Sequence, residues 1–172
     1  MTKIDDNITQ LATALGEILH ARGLVLATAE SCTGGGIGEA VTRVPGSSAW
    51  FDCAFVTYSY EAKTAMLGVN RATLVDQGAV SDETVREMVA GAIERSRAQV
   101  AVAVTGIAGP GGGIPGRAGE EGKPVGTVWF AWKLPKKAMF SEVCHFKGDR
   151  QSIRQQTVAH ALKQLLDNLG PA

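Results

Sequence analysis

The chain has 172 residues, and its 17 lysines and arginines balance 17 aspartates and glutamates, so the formal net charge at neutral pH is zero. This balance predicts no nucleic-acid partner and no anionic membrane surface. No apolar run approaches the roughly 20 residues that cross a bilayer, and the first ten residues lack the apolar core of a secretion signal. We therefore expect one cytoplasmic domain over residues 1–172. Its three scattered cysteines should be reduced, and their spacing argues against a metal site.

The first part of the chain predicts a helix, a strand and a second helix. Apolar residues recur every three or four positions from Ile4 to Leu19, the pattern of an amphipathic helix, and Gly23 would end it. The apolar residues 24–28 indicate a buried strand. Residues 33–43 then predict a second helix, so that a strand and a helix would flank a short turn of small residues.

The middle of the chain predicts two further strands with helices between them. Residues 51–58 are rich in aromatic and branched side chains, typical of a strand. Residues 61–67 predict a short helix that Gly68 stops. Ser81 is the expected cap of a longer helix with an acidic first turn. Residues 100–105 are uninterruptedly apolar, as in a central strand covered on both faces.

The remainder predicts a loop, a hairpin and a last helix. Residues 106–124 are dense in glycine and proline, and the segments 125–133 and 138–146 indicate two antiparallel strands joined by a tight turn. A helix should begin near Asp149. Helices alternating with strands, followed by a late hairpin, predict an α/β fold: a three-layer α/β/α domain with a mixed parallel and antiparallel sheet.

Ser31 lies in the segment AESCTGGG, residues 29–36, where a strand, a turn and a helix start are expected to meet. Free N–H groups and the positive end of a helix dipole suit an anion or a developing oxyanion there. Ser31 is therefore a nucleophile, a phosphate contact or only a helix cap, and the residues alone leave all three open. Its neighbour Cys32 is either a thiol activated by the helix start or, more commonly, a small buried side chain.

A serine nucleophile needs a base, and the three histidines fall on predicted helices or in a late strand, where none must face a cleft. Lys63 follows a predicted strand by one turn, so its side chain can point back to the edge of the sheet. A desolvated lysine can act as a base, whereas a solvated lysine is the ordinary alternative. Tyr58 and Tyr60 either stack on a ligand or pack in the strand.

Thr105 ends the predicted central strand, and Gly106 and Gly109 follow it, at the end of an open α/β sheet where ligands bind. Glycines there let backbone N–H groups approach a phosphate or carboxylate, although neither a Walker loop nor a GxGxxG turn is present. We expect a ligand contact at these residues and a surface loop over 114–122. Arg150 opens the last helix, where a positive charge opposes the dipole, which hints that it grips a phosphate instead.

Several motifs occur in one order through almost the whole chain. They are residues 28–35, 46–51, 55–63, 78–81, 105–110, 123–128 and 148–150. With these motifs the sequence resembles the CinA carboxy-terminal (competence/damage-inducible) family, whose characterised members are nicotinamide mononucleotide deamidases. The resemblance implies a cytoplasmic amidohydrolase that converts this mononucleotide to nicotinate mononucleotide and ammonia. It further implies no metal or organic cofactor, a small-molecule mononucleotide partner and a homo-oligomer.

The resemblance also implies roles for single residues. Ser31 matches the nucleophile and Lys63 its general base, with Tyr58 beside them. Thr105, Gly106, Gly109 and Arg150 would border and hold the substrate. The turn formed by Thr33, Gly34 and Gly35 would contact the substrate, and N–H groups near Thr33 and Gly34 would stabilise the oxyanion.

Two features depart from the family pattern. Tyr60 stands where the family usually has a small polar residue, and residues 113–122, with Arg117, Glu120 and Glu121, lengthen the usual loop. The alternatives are thus a non-catalytic module that binds nucleotide phosphate, with Ser31 as a cap, and an amidase for a different mononucleotide amide. Four large aromatic side chains are expected either in the core or in an apolar interface: Trp50, Phe51, Trp129 and Trp132.

Overall fold

The computed structural model describes residues 3–113, 115 and 121–171. Within them lies one five-stranded sheet. Its strands are β1 (Leu26–Glu30), β2 (Phe51–Val56), β3 (Val100–Gly106), β4 (Thr127–Lys133) and β5 (Phe140–His145). They lie in the order β2-β1-β3-β4-β5. The pairs β2–β1 and β1–β3 are parallel, and the pairs β3–β4 and β4–β5 are antiparallel. The predicted mixed sheet and its late hairpin are therefore confirmed.

Helices cover both faces of this sheet. They are α1 (Lys3–Ala21), α2 (Gly36–Thr42), α3 (Tyr60–Leu67), α4 (Arg71–Asp76), α5 (Asp82–Glu94) and α6 (Arg150–Leu169), with a short 3₁₀ helix at Ser47–Ala49. One core packs α1, α2 and α6 against the sheet, and a second packs α3, α4 and α5 against the other face. This is the predicted three-layer α/β/α arrangement. None of the helices in the described ranges combines the length and apolar character that a membrane span requires.

The central strand β3 shows why its sequence is uninterruptedly apolar. Val100, Val102 and Val104 contribute to the core on the α6 side, while Ala101 and Ala103 contribute to the core on the α5 side. Successive side chains of a strand point to opposite faces, so a strand buried on both faces needs apolar residues at every position. The small alanines let α5 lie close to the sheet.

The helix starts predicted at Ser81 and Asp149 are confirmed by their caps. Ser81 Oγ accepts a hydrogen bond from the Thr84 N–H at 3.2 Å, and Asp149 Oδ1 accepts one from the Ser152 N–H at 2.8 Å. These contacts satisfy N–H groups that the first helical turn leaves without intrahelical partners. The caps fix where α5 and α6 begin, and hence where Arg150 lies.

The large aromatic residues divide between core and partly exposed positions. Trp50 and Trp132 are buried in the core, whereas Phe51 and Trp129 are half-buried. The side chains of Trp132, Phe130 and Phe140 stack along the sheet, with Trp132 ring centroids 5.4 Å from Phe130 and 5.1 Å from Phe140. Trp50 and Trp132 therefore stabilise the monomer.

Two predicted boundaries near Ser31 are wrong. The strand predicted at 24–28 runs from Leu26 to Glu30, and the helix predicted from Thr33 begins only at Gly36. Between them lies a turn in which Gly34 and Gly35 have positive φ angles of 59° and 92°. Glycine adopts such angles without the steric cost that other residues meet, so these residues end the strand and delay the helix.

Candidate active site

Ser31 stands directly after β1, between the ends of the two neighbouring parallel strands. Its N–H donates to the Val104 carbonyl of β3 at 3.0 Å, and the N–H of Thr57 donates to the Glu30 carbonyl at 2.8 Å. Thr57 itself follows β2. The ends of three parallel strands thus place Ser31 at the carboxyl edge of the sheet, the usual location of ligand sites in open α/β folds.

Lys63 reaches Ser31 from the first turn of α3. Ser59 caps this helix by accepting from the Ala62 N–H at 3.0 Å, so α3 begins immediately beyond the sheet edge. Side chains of a helix lean toward its amino terminus, which directs Lys63 back to the strands. Lys63 Nζ donates to Ser31 Oγ at 3.0 Å and to the Thr57 carbonyl at 2.7 Å. The two predicted groups therefore meet.

Both side chains of the serine–lysine pair are buried, and burial affects the protonation of the amine. Lys63 is only 1% exposed and Ser31 only 8% exposed. Removal from water disfavours a charged ammonium relative to a neutral amine. A neutral amine can keep one N–H on the Thr57 carbonyl and turn its lone pair to the Ser31 hydroxyl proton. The arrangement can thus activate the hydroxyl as a nucleophile.

The pair opens into a cavity of about 510 Å³. This volume lies within the range of about 300–1,000 Å³ common for small-molecule sites. The predicted site residues that line it are Ser31, Tyr58, Lys63, Thr105, Gly106, Gly109 and Arg150. Cys32 and Tyr60 also contribute to the lining. The structure therefore brings together seven of the ten site residues predicted from the sequence.

Arg150 and Tyr58 form the rim of this cavity. The Arg150 guanidinium donates to the Tyr58 hydroxyl at 2.9 Å and to the Gly109 carbonyl at 2.7 Å. Tyr58 is 62% exposed. Arg150 thereby connects the start of α6 with the end of β2 and with the glycine-rich loop. A cationic fork and a phenol face solvent at the entrance to the serine–lysine pair.

Thr105 and Tyr60 support a neighbouring wall of the cavity. The Thr105 hydroxyl donates to the Ala79 carbonyl at 2.7 Å, and the Ala79 N–H donates to the Tyr60 hydroxyl at 3.3 Å. Thr105 is 1% exposed. Its hydroxyl thus holds the segment before α5 in place. At Gly106 a Cβ atom would lie 2.7 Å from the Val128 side chain, which explains why glycine ends β3.

Thr33, Gly34 and Gly35 are not brought into the lining of this cavity. The Gly34 N–H donates to the Ser31 carbonyl at 3.0 Å, and the Thr33 carbonyl accepts from Arg154 at 2.6 Å. Thr33 lies instead on an adjacent cavity beside Arg43 and Arg154. The helix start expected at Thr33 lies later, at Gly36, and the Ile37 and Gly38 N–H groups in its first turn donate to Glu30.

The lengthened loop 113–122 lies mostly outside the described residues, which omit 114 and 116–120 and so include neither Arg117 nor Glu120. Gly113 at its start lines the cavity. The Gly113 N–H donates to the Lys123 carbonyl at 3.0 Å. The two ends of the loop are therefore joined at the cavity entrance.

A comparison with known protein families places this geometry. The model of the CinA C-terminal domain matches residues 8–169. The chain belongs to the CinA C-terminal family. The Nicotinamide-nucleotide amidohydrolase PncC of Pseudomonas putida is 55% identical over 161 residues, covering 94% of this chain and 96% of that protein. The protein of the same name from Escherichia coli K12 is 47% identical over 161 residues, covering 94% of each.

The fold agrees with solved structures of the same family. The crystal structure of competence/damage inducible protein CihA from Agrobacterium tumefaciens superimposes with a TM-score of 0.87 at 45% sequence identity, covering 95% of each chain. The two relatives and the solved structure each match nearly all of this CinA C-terminal chain. The match therefore includes the strand ends and the loops that build the cavity.

Glu30 is the functional neighbour that the sequence analysis missed. This carboxylate is fully buried and accepts four hydrogen bonds. They come from the Thr28 hydroxyl (3.0 Å), the Thr33 hydroxyl (2.6 Å), the Ile37 N–H (3.0 Å) and the Gly38 N–H (2.8 Å). It caps α2 from the preceding strand. An acidic residue at the end of an apolar strand, before a glycine turn and a helix, is the signal that could have indicated it.

We expect Glu30→Gln to lower the free energy of unfolding by about 2–4 kcal/mol. The amide keeps the shape, but it loses one acceptor group and turns an N–H₂ toward groups that are themselves donors. Denaturant unfolding measures the change. The matched control is Glu39→Gln on α2, an exposed residue paired with Arg43, which should change stability by under about 0.5 kcal/mol. Equal stability of both variants would contradict this role of Glu30.

Cys32 behaves as the small buried side chain rather than as a reactive thiol. It is 4% exposed. Burial raises the pKa of its thiol to about 12, and the nearby Glu30 charge acts in the same direction against a partly compensating backbone hydrogen bond. The thiolate is the nucleophilic form of cysteine. At neutral pH Cys32 therefore retains its proton, and Ser31 is the stronger candidate nucleophile.

Proposed function

We propose that this CinA C-terminal chain hydrolyses the carboxamide of nicotinamide mononucleotide, releasing ammonia and nicotinate mononucleotide, with Ser31 as nucleophile and Lys63 as general base. The observation that carries the proposal is the buried 3.0 Å contact between Lys63 Nζ and Ser31 Oγ inside the cavity. Curated relatives at 47–55% identity that bear the name nicotinamide-nucleotide amidohydrolase support the choice of reaction.

In the first half of the reaction, the neutral Lys63 amine takes the Ser31 hydroxyl proton as Oγ attacks the carboxamide carbon. A tetrahedral oxyanion forms. The Lys63 ammonium then gives its proton to the carboxamide nitrogen, the C–N bond breaks, and ammonia leaves. The product of this half is a nicotinoyl ester on Ser31.

In the second half, water replaces ammonia beside Lys63. The amine takes one water proton as the oxygen attacks the ester carbon. The Ser31 Oγ bond to the carbonyl carbon then breaks, and Oγ regains its proton from Lys63. Amide and water are thereby converted to carboxylic acid and ammonia, and the enzyme returns to its starting state.

The oxyanion needs a hydrogen-bond donor close to the nucleophile. The backbone N–H of Cys32 directly follows Ser31, and Cys32 lines the cavity, which is the position that the donor occupies in other serine-dependent sites on α/β sheets. One such donor is worth about 3–4 kcal/mol in the transition state. In this proposal Thr33, Gly34 and Gly35 act by shaping the turn, since Gly34 holds the Ser31 carbonyl.

Arg150 and Tyr58 are placed to hold the rest of the substrate. A guanidinium binds phosphate through two parallel hydrogen bonds, and Arg150 already presents its fork at the rim, bound to Tyr58 and Gly109. The pyridinium ring of the substrate is cationic, and a tyrosine ring face attracts a cation. We propose that Arg150 binds the phosphate, while Tyr58 contacts the substrate beside it and Thr105, Gly106 and Gly109 form the wall.

The proposal is tested by incubating the purified chain with nicotinamide mononucleotide and quantifying ammonia and nicotinate mononucleotide. We expect the two products in equal amounts. Nicotinamide riboside, which lacks the phosphate, should show a lower kcat/KM because Arg150 has nothing to bind. Saturable binding of the mononucleotide without ammonia release would instead support a non-catalytic phosphate-binding module. Faster release from another mononucleotide amide would contradict the proposed substrate.

We also propose that the chain acts in the cytoplasm as a homo-oligomer. All three cysteines are free thiols, which suits a reducing compartment. Trp129 and Val143 are register neighbours on β4 and β5, and both are only partly covered in the single chain. A second copy that covers this apolar pair would remove it from water. A monomeric mass by light scattering at micromolar concentration would contradict the oligomer.

A further inference from the structure

A second group of titratable side chains lies on β5 and α6. In the sheet, β5 and β1 lie on opposite sides of the central strand β3. Glu142 and Cys144 are two residues apart on β5 and therefore project from one face of the sheet. His160, on α6, meets them there. We name Glu142, Cys144 and His160 the β5–α6 cluster. Two strands, β3 and β4, separate β5 from β1, so the cluster lies about 14 Å across the sheet from the Ser31 strand, at about 4.8 Å per strand.

The ligand atoms of this cluster form a compact triangle. Cys144 Sγ lies 3.2 Å from Glu142 Oε1 and 3.5 Å from His160 Nε2, and His160 Nε2 lies 3.1 Å from Glu142 Oε1. Tetrahedral zinc, with bonds of about 2.0–2.3 Å to sulfur, nitrogen and oxygen, places neighbouring ligand atoms about 3.3–3.6 Å apart. The distance from Cys144 Sγ to His160 Nε2 fits one edge of such a tetrahedron, and the two distances to Glu142 Oε1 are shorter by a few tenths of an ångström.

The orientation of the imidazole is fixed by packing. The His160 ring meets Phe130 edge to face at a centroid distance of 4.9 Å, and it also contacts Trp132 and Phe146 at 6.1 Å each. These rings leave Nε2 directed at Cys144 and Glu142. The His160 side chain is 20% exposed and that of Glu142 is 39% exposed. The cluster is consequently held in shape yet open to an ion from solvent.

We propose that the β5–α6 cluster is a binding site for a soft divalent cation of the zinc type. Glu142 Oε1, Cys144 Sγ and His160 Nε2 supply three ligands, and the fourth position is left to water or an external ligand. Thiolate, imidazole and carboxylate are the ligands that zinc prefers. Bound there, the cation ties the edge strand β5 to α6, the helix whose first residue, Arg150, stands at the rim of the Ser31 cavity.

Binding replaces a proton with the metal. In the metal-free cluster the Cys144 thiol donates to Glu142 Oε1 at 3.2 Å, and His160 Nε2 lies 3.1 Å from the same oxygen. On binding, the thiol proton passes to solvent, the sulfur–metal bond forms, and neutral His160 coordinates through Nε2. No oxidation or reduction is involved. The sequence argued against a metal site because Cys144 and His160 are sixteen positions apart, on different elements.

The test uses the full chain without a polyhistidine tag, treated with chelator and then titrated with Zn²⁺ in a calorimeter. We expect one ion per chain. Cys144→Ser and His160→Gln should each raise the dissociation constant for Zn²⁺ by at least about 100-fold. Two controls should retain the affinity of the parent chain: Cys53→Ser, a free cysteine on β2, and His145→Gln, the histidine that follows Cys144.

A spectroscopic measurement separates coordination from non-specific binding. Co²⁺ bound to a thiolate gives a sulfur-to-metal charge-transfer band, which should appear with the parent chain and be absent with Cys144→Ser. Circular dichroism of the variants establishes that they are folded. The proposal is overturned if no saturable one-to-one binding occurs, or if a folded Cys144→Ser variant binds Zn²⁺ as tightly as the parent.

Discussion

Ser31→Ala is expected to lower kcat for ammonia release from nicotinamide mononucleotide by at least about 10³-fold, because the oxygen that forms the acyl intermediate is removed. The fold should survive, since Lys63 keeps its hydrogen bond to the Thr57 carbonyl and alanine fits the space of serine. One lost hydrogen bond costs about 1 kcal/mol. Steady-state ammonia release, the dissociation constant for substrate and the melting temperature together measure the effect.

Cys32→Ala tests the competing nucleophile in the same cavity. The high pKa of the Cys32 thiol predicts that this variant retains turnover within about tenfold of the parent. When the parent chain reacts with substrate and is rapidly quenched, the nicotinoyl group should be found on Ser31 and not on Cys32. Turnover that persists in Ser31→Ala but disappears in Cys32→Ala would show that the nucleophile has been assigned to the wrong residue.

The elements that the sequence predicts well are those whose signals are local. The spacing of apolar residues in α1, the apolar run of β3, and the caps at Ser81 and Asp149 each depend on neighbours within one or two turns. The order of such elements, with a hairpin at β4–β5, was enough to predict the layered α/β fold. Among the described residues, the short helix α4 and the 3₁₀ turn near Trp50 are the elements without a strong sequence pattern.

The site required information that no local pattern contains. Lys63 is an ordinary helical lysine in the sequence, and only the parallel register of β1 and β2 brings it to Ser31. The resemblance to a family therefore identified it, whereas residue chemistry alone favoured a solvated side chain. For Glu30 the sequence analysis predicted the end of the strand too early. The pattern of apolar residues suggested that the strand ended before it, but hydrogen bonds from Thr33 and α2 make its burial favourable.

The β5–α6 cluster likewise depends on tertiary packing. Cys144 and His160 have no motif spacing, and they meet because α6 packs on the same face of the sheet, with His160 against Phe130 of β4. Alternation along β5 could have indicated that Glu142 and Cys144 share a face. The residue that faces them depends on the packing angle of α6, which the sequence does not specify.

Lys63→Met is expected to lower kcat by about 10²–10⁴-fold, the usual contribution of a general base. Methionine occupies much of the volume of the lysine stem and is tolerated in irregular cores, but it has no basic nitrogen to take the Ser31 proton. The substitution leaves the Thr57 carbonyl without its hydrogen bond from Lys63, which should lower the free energy of unfolding by about 1–3 kcal/mol. Lys133→Met, at the far end of β4, is the matched control and should retain full turnover.

Two further variants separate proton transfer from a purely structural role of Lys63. Lys63→Arg keeps a hydrogen-bond donor, but its guanidinium stays protonated and cannot act as a base at neutral pH, so this variant should be inactive. Lys63→Ala leaves room for an external amine, and added propylamine should restore part of the ammonia release in proportion to its neutral form. If Lys63 only supported the fold, arginine could take over its role and an added amine could not. Activity of Lys63→Arg, together with no rescue of Lys63→Ala by propylamine, would therefore show that Lys63 takes no part in proton transfer.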